Sequence, residues 1–343
     1  MIVLNQRAVL RALDMPACIR VMRDTMRDVA DGRAVQPLRQ YVHLHGSMGR
    51  LGMMPAGLSE RGVVGIKVIT VVDGNLGSDF DSHQGAVLLF EVQHGRLIAT
   101  VDATSITAIR TAAVSAVATD VLARSDASVL AILGSGTEAM SHLDAMIEVR
   151  PIRRVRIWSR NTARARAFIE RARLHHVLEF EVAPTPEAAI VGADIVCTAT
   201  AARTPIVDGR WLSPGAHVNA VGSSVATRRE LDSAAVARAT LIVDSRESAL
   251  HEAGDFLLAR FDGAVTDAHI VAELGEVLAG RHPGRRSAEE ITLFKSVGLG
   301  VEDVAAAWYV YRRAMQDGLD ADVEFGGRRP EAFERTPSAG APA

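Results

Sequence analysis

The sequence predicts an α/β protein in which a doubly wound, mostly parallel sheet is joined to an α+β domain built from both chain ends. Three observations carry this expectation. The chain has 343 residues, more than one ordinary hydrophobic core accommodates. After Arg124, short apolar runs alternate with helical segments, the rhythm of βαβ units. Before Arg124, strands follow one another across turn signals and then give way to one long Ala-rich helix.

The elements follow in order. Residues 63–72, VVGIKVITVV, are continuous and β-branched, like a strand buried on both faces. Gly74-Asn75-Leu76-Gly77 punctuates. Residues 86–92, AVLLFEV, form a second strand, and 97–101 its hairpin partner across His94-Gly95. A helix over 105–123 has Thr104 or Ser105 as its expected N-cap. Strands at 129–133, 155–159, 193–198, 216–221 and 241–244 then alternate with helices at 137–149 and 162–174 and further helical material. A last helix over 301–315 is expected to pack back on the first domain. This places one domain at 1–124 plus 295–325, a second at 125–294, and a disordered Gly/Pro/Arg-rich tail at 326–343.

Bulk properties narrow the class. Hydrophobic residues make up 48% and charged residues 23%, and the net charge is −3, so nothing electrostatic suggests nucleic acid or an anionic membrane as partner. The two cysteines, Cys18 and Cys197, form no disulfide framework. The N-terminal apolar run is broken at Asn5, Gln6 and Arg7, unlike a signal peptide. The expectation is a cytoplasmic protein. No metal-binding motif such as H-E-x-x-H or Cys-x-x-Cys is present.

The turn Gly134-Ser135-Gly136-Thr137-Glu138-Ala139 follows an apolar strand and opens a helix, which is the context that gives G-x-G-x-x-A its meaning. Gly134 allows the turn, Gly136 allows a pyrophosphate to reach the backbone, and Ala139 keeps helix and strand close. The fold expected is therefore Rossmann-type, with a nicotinamide dinucleotide as cofactor. The strand ends at Thr198-Ala199 and Val221-Gly222 are the other expected borders of this site. At the end of the second strand the chain has Ser159-Arg160-Asn161 and no carboxylate. Arg160 can pair with a 2′-phosphate, which favours NADP(H) and leaves NAD(H) possible; the plainer reading of Arg160 is a surface arginine among Arg150, Arg153, Arg154, Arg156, Arg164 and Arg166.

Beyond this motif, the chain resembles the ornithine cyclodeaminase/μ-crystallin family from about Leu38 to Tyr311. The segments that carry the resemblance include PLRQYVH (37–43), GIKVIT (65–70), SHQGAVLLFE (82–91), ITAIRTAAVSAVAT (106–119), IWSRN (157–161), GAHVNAVGSS (215–224), RELD (229–232), VDSRESALHEAGD (243–255) and FKSVG (294–298). The resemblance implies that Arg39, Lys67 and Arg110 bind a substrate α-carboxylate, and that the protein is a homodimer joined through its substrate domain. Lys67 also stands out alone, as the only charge in its strand; a lysine snorkelling from an edge strand is the alternative. His83, in the SHQG turn, reads as a polar contact or proton carrier, or as a capping histidine. Glu252 and Asp255 order the nicotinamide end or cap a helix. Glu138 stands where the family often has Gln, and touches solvent or a second subunit.

Ser224 stands where cyclodeaminases carry an acid, as it does in the ketimine reductase branch, to which the chain looks closer. The implied reaction is reduction of a cyclic α-imino acid with NAD(P)H, with Lys67, Ser224 and His83 as catalytic candidates. The alternatives are a redox-neutral ornithine cyclodeaminase, an alanine dehydrogenase-like enzyme, and a non-catalytic NADPH-dependent binding protein. They differ in whether imines consume NADPH.

Overall fold

The computed structural model describes residues 1–43, 49–75 and 83–318. The tail from 326 lies outside the described residues, as do Leu76-Gly77 and Ser82 of the two predicted turns. One sheet is formed by β1 (Ile2–Leu4), β2 (Ala34–Val35), β3 (Gln40–His43), β4 (Arg50–Leu58), β5 (Val63–Val71), β6 (His83–Glu91) and β7 (Leu97–Asp102). Its order is β1-β7-β6-β5-β4-β2, with β3 also pairing β4. From β4 to β7 it is an antiparallel meander, and β1 runs parallel to β7.

The other sheet contains β8 (Val129–Leu133), β9 (Arg154–Trp158), β10 (Glu179–Val182), β11 (Ile195–Thr198), β12 (His217–Ala220), β13 (Thr240–Val243), β14 (Ile270–Glu273) and β15 (Thr292–Lys295). Its order is β10-β9-β8-β11-β12-β15-β13-β14, and these pairings are parallel. Both faces are buried, as in a doubly wound sheet. On β8, Leu130 and Ile132 pack into one core with Val155 and Ile157, whereas Ala131 and Leu133 pack into another with Val196 and Val218.

The helices are α1 (Gln6–Ala12), α2 (Met15–Ala30), α3 (Ala103–Leu122), α4 (Thr137–Val149), α5 (Thr162–Arg173), α6 (Pro186–Ile190), α7 (Ser233–Arg238), α8 (Arg246–Glu252), α9 (Gly254–Phe261), α10 (Leu274–Leu278) and α11 (Gly300–Gln316). The long α3 is apolar enough by length and composition to span a membrane, yet it is buried within the protein. Ala112, Ala113 and Ala116 are fully enclosed, and their small side chains let α3 lie close against α2 and α4. α11 returns from the far end of the chain to pack on β4, β5, α2 and α3.

Several sequence expectations need correction. The first part of the chain holds the helices α1 and α2 as well as strands; α2 is capped by Asp14, whose carboxylate accepts from Ala17 N at 2.7 Å. The N-cap of α3 is Asp102, accepting from Ser105 N at 2.8 Å, because the helix starts two residues earlier than expected. His83, Gln84 and Gly85 belong to β6, not to a turn before it: they pair with Val71, Thr70 and Ile69. Gly85 serves a close strand contact, since a Cβ there would meet the Val68 carbonyl oxygen at 2.0 Å. Three members of the arginine cluster have structural roles. Arg150 donates to the carbonyls of Thr119, Asp120, Ala123 and Arg124 and so closes the C-terminus of α3, while Arg154 pairs with Glu179 and Arg156 with Glu181.

Candidate active site

Strand order reverses between β8 and β11, the topological position where open α/β sheets hold ligands at their carboxyl ends. The Gly-rich turn leaves β8 here. Gly134 has φ +132°, and a Cβ on it would lie 2.4 Å from the Ala199 carbonyl oxygen, so only glycine lets the turn cross the end of β11. Gly136 faces open space, with no atom within 4 Å of where its Cβ would stand. The free N–H groups of the first turn of α4 follow immediately, the arrangement that receives a pyrophosphate. Ala139 is buried in the core beneath. These residues fit a dinucleotide.

A cleft of about 610 Å³ opens over this turn. Ser135, Gly136, Thr137, Glu138, Ala199, Val221, Gly222 and Ser224 line one side; His83, Thr104, Thr107 and Arg110 line the other. Ser159 lies beside the turn, with Ser135 Oγ donating to its hydroxyl at 3.1 Å. Asn161 caps α5, accepting from the N–H groups of Ala163 and Arg164. Arg160 is exposed and is not a lining residue, whereas Arg164, one turn along α5, is. Thr198 is fully buried and supports the cleft from below.

That support comes from Glu230, which sequence reasoning noted only within the RELD segment. Its Oε2 accepts from Thr198 Oγ1 at 2.7 Å and Gly222 N at 2.8 Å; its Oε1 accepts from Thr200 N at 2.8 Å and Thr200 Oγ1 at 2.7 Å. One carboxylate thus pins two strand-end loops. Asp255 in turn accepts from the N–H groups of Glu230 and Leu231 and pairs with Lys295 at 2.9 Å. Lys295 donates to the carbonyls of Ala220 and Ser223. Asp255 therefore neither caps a helix nor reaches the cleft.

At the opposite end, Arg110 is 4% exposed, yet it lines the cleft. Its Nε donates to Asp303 Oδ1 at 2.8 Å and its Nη1 to Glu302 Oε2 at 2.7 Å. Nη2 makes no hydrogen bond among the described residues, leaving a donor for a ligand. Lys67, 1% exposed, pairs through Nζ with Asp303 Oδ2 at 2.7 Å and donates to Thr107 Oγ1 at 3.3 Å. It does not line the cleft. Arg39 does not line it either: its Nε pairs with Glu252 at 2.7 Å and its Nη2 donates to the carbonyls of Val297 and Gly298 at 2.5 Å. Glu252 is thereby accounted for as the partner of Arg39. Asp244 holds the same loop from the other side, accepting from the N–H groups of Val297 and Gly298 at 2.7 Å each. The cations expected from sequence come together, but only Arg110 presents itself to the cleft.

Electrostatics follow from this enclosure. Burial pulls Lys67 down to about 8, with Asp303 opposing and Arg110 reinforcing. Burial pushes Asp303 upward, but Arg110 and Lys67 outweigh it and hold the carboxylate below its usual range. Glu138 is pushed up to about 7 by burial, against the pull of Arg110 and Lys67. A third of its side chain remains accessible, but the Oε2 oxygen is enclosed and accepts no hydrogen bond. So Glu138 faces the cleft and its cations, where sequence alone left it at solvent or a second subunit. His142 is pulled down to about 4 by burial. It stays neutral between the Glu138 carbonyl and Ser115 Oγ and is structural.

Comparison with known proteins agrees with this geometry. The model of the ornithine cyclodeaminase/mu-crystallin family matches residues 1–318. The chain belongs to this family. Among its members, ketimine reductase mu-crystallin of Mus musculus is 42% identical over 281 residues, covering 82% of this chain and 86% of that protein. The structure of Thermococcus litoralis Δ1-pyrroline-2-carboxylate reductase in complex with NADH and L-proline superposes with a TM-score of 0.92 at 34% identity, covering 94% of this chain and all (100%) of the other. An archaeal alanine dehydrogenase dimer with bound NAD has a TM-score of 0.89 at 31% identity, covering 95% and 99%. The family is thus one of NAD-binding α/β folds, as the Gly-rich turn indicated.

The raised Glu138 carboxyl has a measurable consequence. A group whose folded pKa exceeds its ordinary value adds stability below the ordinary value, and loses it as pH rises through the folded one. For Glu138 that window runs from 4.5 to about 7. Glu138→Gln should therefore raise the melting temperature of the ligand-free protein at pH 8 and change it much less at pH 4.5. Thermal denaturation at the two pH values checks this, and an equal shift at both would show that the carboxylate is not desolvated.

Proposed function

We propose that this protein reduces α-imino acids, cyclic ones such as Δ1-pyrroline-2-carboxylate and Δ1-piperideine-2-carboxylate, to the corresponding amino acids. The observation that carries the reading is the cleft itself, which runs from the dinucleotide turn to a buried guanidinium with one donor left over. A bound reduced nicotinamide dinucleotide would supply the hydride. Arg110 offers the free donor to the substrate carboxylate, and the Glu302–Asp303 pair fixes its plane. Arg39 positions the Val297–Gly298 loop beside it. By the family resemblance, Ser224, which lines the cleft, corresponds to the acid with which a cyclodeaminase releases ammonia, and a serine without an activating base does not exchange protons near neutral pH. The mouse ketimine reductase and the Thermococcus pyrroline-carboxylate reductase support imine reduction by their names.

The reductase reading is tested by incubating the protein with the two cyclic imines and NADPH or NADH, and separately with L-ornithine and catalytic NAD⁺. Stoichiometric dinucleotide oxidation with the imines and no ammonia from ornithine is expected. Arg110→Ala should lower kcat/KM for the imines by at least about 10²-fold, because it removes a charged hydrogen bond and strands two buried acids. Sustained proline formation from ornithine with no imine reduction would replace this reading with cyclodeamination.

For the cofactor we infer a preference for NADP(H). Arg160 is exposed just beyond β9 and Arg164 lines the cleft one turn on, with no acid at the end of that strand to repel a 2′-phosphate. Arg160→Ala should raise the KM for NADPH by roughly 10- to 150-fold, the value of about 1.5–3 kcal/mol for a charged hydrogen bond, and leave that for NADH nearly unchanged. An equal effect on both dinucleotides would remove Arg160 from 2′-phosphate recognition.

The partner we infer is a second copy of this chain. The face of the first sheet turned away from α3 and α11 is apolar, with cross-strand neighbours Val64–Phe90, Ile66–Leu88 and Val68–Ala86. Val64 is 44% exposed. Such a two-dimensional apolar face suits an isologous contact, and one relative is named as a dimer. Light scattering should give twice the 36.6 kDa chain mass, and Val64→Asp with Leu88→Glu should halve it. A wild-type monomer at micromolar concentration would end this reading.

A further inference from the structure

The cleft extends past Arg110 to a second cation. In the first sheet, residues face one another in rows across the strands. Lys67 of β5 stands opposite Met54 of β4 and Val87 of β6; four residues along, Val71 stands opposite Arg50 and His83. Four residues of strand span about 13 Å. Alternate residues of a strand share a face, so Arg50, Val71 and His83 lie on the same side as Lys67, which shares Asp303 with Arg110. All three of these residues line the cleft.

Arg50 is half-buried there. Its Nε is enclosed and makes no hydrogen bond, and among the described residues no carboxylate pairs with it. Its contact is with Tyr41 of β3: the guanidinium carbon stands 5.0 Å from the ring centroid. Tyr41 lies opposite Gly52 and packs over it, two residues nearer the Lys67 row, so the ring draws the guanidinium inward along the cleft. A ring contact occupies the flat face of a guanidinium and leaves its in-plane N–H donors for an anion. Glu138 is the sole acid among the described lining residues, and its interactions are with Arg110, Lys67 and Asp303. The described wall therefore does not neutralise Arg50. An enclosed charged donor without a partner is costly, and a ligand that supplies the partner accounts for it.

We propose that Arg50 anchors a second anion subsite, and that the substrate is an α-imino acid whose side chain carries a second carboxylate. The α-carboxylate lies on Arg110, and the side chain runs along the sheet to the row of Val71 and His83. There the planar fork of Arg50 matches a carboxylate with two parallel N–H donors. The reacting C=N stays at the α end, next to the dinucleotide turn, so the second carboxylate takes no part in the chemistry. It sets selectivity, and holding the substrate at both ends fixes the reacting carbon in one orientation.

This inference rests on the reductase reading, and two measurements separate them. The imines formed from methylamine with 2-oxoglutarate and 2-oxoadipate each have a counterpart of similar length without the second carboxylate, from 2-oxopentanoate and 2-oxohexanoate. With NADPH, kcat/KM for the better diacid should exceed that of its counterpart by roughly 10- to 150-fold, the worth of one charged hydrogen bond. Arg50→Leu should bring this ratio to about 1, and Arg50→Lys, which keeps the charge without the fork, should keep part of it. Binding is read without turnover by calorimetry on the NADPH complex. L-glutamate or L-2-aminoadipate should bind at least about 10-fold more tightly than L-norvaline or L-norleucine, and Arg50→Leu should abolish the difference. Reduction of Δ1-piperideine-2-carboxylate with no preference for either diacid would overturn the subsite alone, as would a loss in Arg50→Leu that is equal for diacids and their counterparts. A wild type that reduces no imino acid, yet binds the acidic amino acids through Arg50, would overturn the reductase reading and leave the subsite standing.

Discussion

The structure turns on one buried carboxylate. Asp303 meets Arg110 through one oxygen and Lys67 through the other, and Glu302 beside it accepts from Arg110 Nη1. Two cations and two acids are enclosed together, with neither acid showing any accessible surface. An unpaired charge in such a place costs several kcal/mol, and removing one partner of a buried pair costs about 3–5 kcal/mol. The chain must therefore bring α11 back from its far end to β5 and α3. This is the physical reason that the first sheet and its helices are assembled from both ends of the sequence. It also holds the Arg110 guanidinium in one plane before any ligand arrives, so little ordering remains to be done on binding.

The cofactor end solves a similar problem with another set of residues. Glu230, Asp255, Lys295 and Asp244 lie under the carboxyl ends of the parallel strands, and their bonds run to the backbone of the loops bordering the cleft. Buried polar groups that are fully bonded make such loops rigid, whereas a single missing partner would leave a costly orphan. α3 connects the two ends. Its N-terminal half carries Thr107 and Arg110 into the cleft, and its C-terminal carbonyls are held by Arg150 of the dinucleotide-binding half. The site thus lies between two preorganised networks on elements that cannot easily move apart.

Much of this fold was legible in the sequence. The periodic segments after Arg124 fall where the strands and helices stand; β8 and α4 have the expected bounds. The Gly-rich turn, a purely local signal, falls at the point where strand order reverses and lines the cleft there. The N-terminal helices were less visible because α2 carries many charges on its outer face, and β4 was obscured by Pro55, which the strand tolerates because it falls between the stretches paired with β3 and β2. Among the expected site residues, the structure places Arg110 and the glycine turn on one cleft. Glu302 and Asp303 were overlooked, although two acids within an otherwise apolar helix, VEDVAAAWYV, were a signal that something buried must neutralise them.

The sequence by itself determined the kind of protein: local periodicity sets strands and helices, glycine positions set the turn that can hold a pyrophosphate, and the isolated Lys67 marks a charge that needs a partner. Which partner each charge receives was decided only by the tertiary structure. Arg110 and Asp303 are 193 residues apart in the chain, and Arg39 finds Glu252 across the same kind of distance. Nothing in local spacing distinguishes these pairings from others the same residues could make. Packing alone selects them, because burial makes every other pairing cost more than the interactions it would return. That selection pairs Lys67 with Asp303 and leaves Thr107 and Arg110 lining the cleft.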